Sequence, residues 1–244
     1  MSSRRTTALV AGVFIVLTFI LQGFVVVAYG PLNSNPHYVS SGGADTRALL
    51  GGLTELLLIA ANLGTAVTLF PIIRRESEGL ALGYVTARIV ECTLDLAGIV
   101  VLLGVGTLHQ ETAGAGAGSA VAMGKSLIAI YSQTAGLGTV VVGLGNGLML
   151  GCLMLRAGLV PRAMTVVGIV GGPLLSASAI AIVFGLFASG SGPQVAMTLP
   201  EGVWEVFLAL WLIVKGFNPS VLDGDESPAV GLGRGSPVDA GVAA

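Results

Sequence analysis

Charge is what this chain has least of. Asp, Glu, Lys and Arg make up 10% of its 244 residues, against roughly 25% in soluble domains. With 54% hydrophobic residues and several apolar runs of the eighteen residues or more that mark a membrane span, an ordinary soluble domain is excluded. Basic residues never cluster beyond two, and aromatics reach only 6%. The chain therefore has neither a phosphate-binding patch nor a stacking face, which excludes nucleic acid as a partner. Cysteine is limited to Cys92 and Cys152. Both fall in apolar runs at different depths, so neither a disulfide nor a thiolate metal site is expected. Histidine is limited to His37 and His109, in expected outer loops, and no ligand pair has zinc spacing. Neither metal nor cofactor is expected. There is no Gly-x-Ser-x-Gly elbow, no HExxH, no P-loop and no histidine within a span to act as base, so no catalytic residue can be named.

What is there is a series of apolar runs, which predicts an all-α fold: a polytopic membrane helix bundle with six transmembrane helices. The spans read as 7-29, 48-70, 80-103, 130-155, 163-188 and 199-215, forming one domain over 7-217. Residues 218-244, acidic and bearing Pro and Gly, read as a disordered cytoplasmic tail. The basic start resembles a signal peptide, but its apolar region runs from Ala8 to Ala28, beyond the 7–15 residues of a signal core. It reads as a retained first span. The segment Gly104–Gly124, rich in Gly and Ala, reads as a flexible loop. Gly171-Gly172-Pro173 predicts a kink in span five, and Thr198-Leu199-Pro200-Glu201 a capping box opening span six.

Placing both termini in the cytoplasm puts Arg4, Arg5, Arg74, Arg75, Arg156, Arg162, Lys215 and Arg234 inside, with Arg47 and Lys125 outside. Eight against two follows the positive-inside rule and predicts a multi-pass protein of the bacterial inner membrane. The lipid bilayer is its first partner.

Arg88 is the eleventh basic residue, and it falls inside span three together with Glu91 and Asp95. At about 100° per residue these three share one narrow wedge with Tyr84. Span two carries Glu55 and Asn62, seven residues apart and so also on one face, and span six carries Glu205. If spans two, three and six pack together, Glu55, Asn62, Tyr84, Arg88, Glu91, Asp95 and Glu205 form one buried polar or ligand cluster. Arg88 and Glu91 are expected to pair, against Glu55 and Asn62 of span two. Four acids against one arginine call for a bound proton or a cation. A second expectation concerns span four, where Ser132, Gly136, Gly143, Gly147 and Gly151 lie on one face. This small-xxx-small stripe predicts a helix-packing surface at Gly143, Gly147 and Gly151, open to a second copy of the chain or to another membrane protein. A faint echo of Glu91-x-x-x-Asp95 in Glu201-x-x-x-Glu205 would fit two inverted three-span halves.

The runs LFPIIRRESEGLALGYVTARIVE (Leu69–Glu91) and LWLIVKGFNPS (Leu210–Ser220) resemble those of an uncharacterised family of bacterial multi-span membrane proteins, domain of unknown function 4386. The resemblance covers about residues 8 to 220. It implies a six-span inner-membrane protein and brings no activity, substrate or catalytic residue with it. Two classes of function stand. One is a small carrier or proton/cation-linked permease using the buried cluster. The other is a non-catalytic interaction or regulatory membrane protein whose buried charges only fix helix packing. An enzyme ranks third, for want of a nucleophile and base.

Overall fold

In hydrocarbon no water is available to the backbone, so an apolar run must make its hydrogen bonds within itself. The computed structural model describes residues 3–34, 44–111 and 117–218, and all regular structure among them is helical. His37 and the expected tail from residue 219 onward lie outside the described residues, as does the side chain of His109. Six helices follow in order: α1 (Ser3–Ser34), α2 (Ala44–Ile73), α3 (Glu78–Glu111), α4 (117–156), α5 (Arg162–Val183) and α6 (Gly192–Val214). Helix α4 changes pitch twice, being α-helical over Ala117–Val142, π-helical over Gly143–Leu150 and α-helical again over Gly151–Arg156.

Five of the six are long and apolar enough to cross a membrane. The sixth, α3, is 34 residues long and differs in carrying Arg88, Glu91 and Asp95. Large apolar side chains point outward around the bundle, among them Phe24, Leu53, Val67, Val100, Val170 and Leu199. A soluble protein would bury such a surface, whereas a membrane protein offers it to lipid.

Each helix packs against its neighbour in sequence, and α6 returns to α1. The six therefore form a closed ring. Arg5 ties the closure, donating to the carbonyls of Leu212 at 2.8 Å and Ile213 at 2.5 Å at the end of α6. A cation there meets carbonyls that have no partner within the helix. Gly216 follows at φ +78, and its N–H bonds the Trp211 carbonyl, a left-handed termination that glycine makes without strain.

The main apolar core fills one end of the ring. Leu69, Tyr84, Leu153, Trp204, Leu208 and Leu212 are among its buried members. They come from the end of α2, the start of α3, and the ends of α4 and α6, which an up-and-down ring brings to the same level. A smaller cluster of Val25, Tyr29 and Leu102 lies toward the other end, with Tyr131 packed against it. Between these two apolar layers lies the polar site.

Several boundaries depart from the expected ones. Helix α1 continues past Gly30-Pro31 to Ser34, since proline removes one hydrogen bond but its φ is helical. Most of the Gly/Ala segment is helix, divided between the end of α3 and the start of α4. Alanine favours helix strongly enough to offset the interspersed glycines. Helix α6 starts at Gly192, after an extended Ser191 and with Pro193 in its first turn, where a missing N–H is harmless. Pro200 thus lies inside the helix, and the Thr198 hydroxyl donates back to the Gln194 carbonyl at 3.1 Å instead of capping. Helix α5 runs through Pro173 without a break.

Candidate functional site

Span three carries its charges on one face, and the ring turns that face inward. Arg88 and Glu91 are both buried. The Arg88 Nη1 donates to Glu91 Oε2 at 2.6 Å, one helical turn away. Asn62 of α2 closes the set: its Nδ2 donates to Glu91 Oε1 at 3.2 Å, while its Oδ1 accepts from Arg88 Nη2 at 3.4 Å. The short turn between α2 and α3 puts the two helices side by side, so Asn62 reaches the depth of Arg88. Both oxygens of Glu91 are engaged, while the buried Arg88 Nε has no acceptor among the described residues, so the pair does not recover the whole cost of burying its charges.

Glu55 does not join that set, contrary to the expected grouping. Its Oε2 accepts instead from the Tyr29 hydroxyl of α1 at 2.9 Å. Tyr29 in turn meets the ring of Tyr131 from α4 edge-on, with centroids 5.5 Å apart. Glu205 is also drawn aside: its Oε1 accepts from Asn146 Nδ2 at 2.5 Å. Asp95 is half-buried and forms no hydrogen bond or ion pair among the described residues. Tyr84 is fully buried in the apolar core and shares a small crevice with Arg88, Asn146 and Trp204.

These groups surround a partly open cavity of about 260 Å³ in the middle of the ring. Glu55, Asn62, Arg88, Glu91, Asp95 and Glu205 all line it, so six of the seven residues expected to cluster share one space. Helices α1, α2, α3, α4 and α6 contribute to the wall, and α5 does not.

Helix α5 acts from behind. Added Cβ atoms on Gly143 and Gly147 would run into Gly172, and one on Gly151 would meet Ile169 at 3.0 Å. The glycine stripe of α4 is therefore covered by α5 of the same chain, the close approach that small residues permit. Ser176 donates to the Val140 carbonyl at 2.8 Å just before the π-helical stretch, and the Trp204 indole to the Asn146 carbonyl at 3.2 Å within it. A π turn re-aims the side chains around it, and here Asn146 lies on the cavity wall.

Asn146, Tyr29 and Tyr131 were absent from the sequence reading. An asparagine inside an apolar run was a signal for the first, since its amide must find a partner; nothing in the sequence marked the tyrosines. Glu201 also falls in an unexpected place. It is 2% exposed and both its carboxyl oxygens lack a partner among the described residues, with Oε2 against Gly147. It lies outside the cavity wall, so the Glu201–Glu205 echo of Glu91–Asp95 does not extend to environment. Cys92 and Cys152 are free, and no group of three potential metal ligands occurs among the described residues.

Residues 10–216 match the family described as Domain of unknown function (DUF4386). No curated protein matches the chain, and no solved structure does.

Proposed function

The chain belongs to the DUF4386 family, a membership that brings no activity with it, and from that premise we propose that it is a small carrier or proton/cation-linked permease of the bacterial inner membrane. The observation that carries this reading is the central cavity: it reaches the Arg88–Glu91 pair, is walled by four carboxyls, and sits between two apolar layers. Intramembrane ionisable groups facing a cavity are the usual mark of a solute or proton path. Glu55, Asp95 and Glu205 form the solute-facing set, and Arg88, Glu91 and Asn62 hold α2 against α3 beneath it. The competing reading, a regulatory or interaction protein with structural charges, draws its support from the mutual hydrogen bonds of Arg88, Glu91 and Asn62.

Protein reconstituted in liposomes with an internal pH-sensitive dye and tested against a solute panel is expected to give a solute-dependent signal. Asp95→Asn should reduce it at least tenfold, because Asp95 is on the wall and has no partner to lose among the described residues. An unaltered signal in that variant, or no signal with any solute, would favour the competing reading.

Orientation follows from the basic residues, with both termini and the Arg74-Arg75 turn in the cytoplasm. Reporter fusions at Ser77 and at Gly190 should report cytoplasmic and outer positions respectively. An outer signal at Ser77 overturns the arrangement.

A further inference from the structure

Beside the central cavity, on the side of the main apolar core, the ring encloses a second and much smaller space, a crevice of about 10 Å³. Arg88, Asn146 and Glu205 reach both spaces, and the crevice continues to Tyr84, Leu150 and Leu208, about one turn further along α3, α4 and α6. Three polar atoms of its wall are buried and lack a partner among the described residues: the Tyr84 hydroxyl, Arg88 Nε and Asn146 Oδ1. Tyr84 is 0% exposed, and Arg88 and Asn146 are each 5% exposed. Arginine has no acceptor atom, so it cannot take the Tyr84 proton, and the Nδ2 of Asn146 already donates to Glu205. A buried polar atom without a partner is rare, and three around one small space call for a single cause.

Two of these atoms donate and one accepts, which decides the occupant. An anion would suit Arg88 Nε and the Tyr84 hydroxyl but would face the Asn146 oxygen and the Glu205 carboxyl. A cation would face the Arg88 guanidinium. Only a molecule that both accepts and donates suits all three, and at about 10 Å³ the space is the size of one water, which needs roughly 10–15 Å³ and about two to four polar partners. We propose that the crevice is the binding site of one water molecule, which accepts from Arg88 Nε and the Tyr84 hydroxyl and donates to Asn146 Oδ1. Its second hydrogen has the Glu205 carboxyl on the same wall. Bound there, the water ties α3 to the π-helical stretch of α4 and, through the Asn146–Glu205 bond, to α6. It also supplies the acceptor that Arg88 Nε otherwise lacks. The site stands whether or not the central cavity carries a solute.

The test is radiolytic hydroxyl-radical labelling of the purified full-length protein in detergent, with a radical scavenger in the bulk solution and modified side chains read by mass spectrometry. Radiation makes radicals from water wherever water is held, so with the bulk radicals quenched a buried side chain is modified only beside a bound water. Tyr84 and Trp204, both on the crevice wall, should be labelled at least tenfold faster than Met154. Met154 is a readily oxidised side chain, equally buried in the same core but off that wall. Equal rates at Tyr84 and Met154, or loss of the Tyr84 labelling when scavenger is added, would overturn the proposal. Thr65→Ile then separates the crevice from the cavity. Thr65 lines the crevice and not the cavity, and the added methyl takes up nearly the volume of a water, roughly 30 Å³. In that variant the labelling of Tyr84 and Trp204 should fall severalfold, while that of Tyr131 on the cavity wall should not change. Wild-type labelling of Tyr84 in a folded Thr65→Ile protein would assign the water to the cavity and overturn the crevice site. The comparison within the wild-type chain needs no variant to fold.

Discussion

Arg88→Leu is expected to cost about 3–5 kcal/mol of folded stability, and Arg88→Leu combined with Glu91→Leu to recover most of that loss. The single change leaves the Glu91 carboxylate buried with only the Asn62 amide at 3.2 Å to hold it. An anion in that position has lost both its counter-ion and water. The double change removes the anion too, and two leucines occupy much the same volume beside an already apolar core. Asn62 then loses both partners, but it borders the cavity, where another donor or acceptor can reach it. Thermal unfolding in detergent checks both variants. If single and double variants unfold at the same temperature, charge pairing is not what holds α2 to α3.

Gly147→Leu should be comparably damaging, on the order of 3 kcal/mol, for a steric reason. An added Cβ would overlap Gly172 Cα and Glu201 Oε2, and Gly172 N would be 2.6 Å away. Two of these are backbone atoms and cannot rotate aside. Helices α4 and α5 must separate, which strains the Ser176 bond to Val140 and loosens the π-helical stretch that holds Asn146. Gly136→Ala is the matched control on the same stripe. There the added methyl meets only Val183, at 3.5 Å, and the gain in helix propensity of roughly 1 kcal/mol favours the variant. Folded yield and melting temperature together separate the two outcomes, and a Gly147→Leu protein as stable as the wild type would remove the close contact from the account of the fold.

The bundle was legible in the sequence because hydrocarbon leaves the backbone no alternative to helix, so apolar runs translate directly into helices. The inward face of α3 was legible for a related reason: three ionisable groups in one wedge have nowhere else to turn. Helix ends were less so. Gly30-Pro31 and Thr198-Leu199-Pro200 carry strong local signals, yet α1 runs on past the first and α6 begins well before the second. Burial in a bundle outweighs a single proline. The partners of Glu55 and Glu205 were hidden because they come from α1 and from the π-helical part of α4. Pairing across a ring depends on depth and rotation together, and one extra residue in a turn shifts both. No periodicity in GLGNGLML announces that shift.

If the chain works as the proposed carrier, the apolar core at one end of the ring sets a limit of a different kind, on speed. Leu69, Leu153, Trp204 and Leu208 are fully buried, from three different helices, and stand between the cavity and the end of the bundle that holds the N-terminus. A solute resting against Asp95 cannot drift past them. Each passage would need those helices to slide or tilt and then return, and collective motions of this size take microseconds to milliseconds. Throughput is then counted in cycles of the protein, on the order of 10³ to 10⁶ per second at most, and a steeper solute gradient cannot raise it once the cavity is always filled.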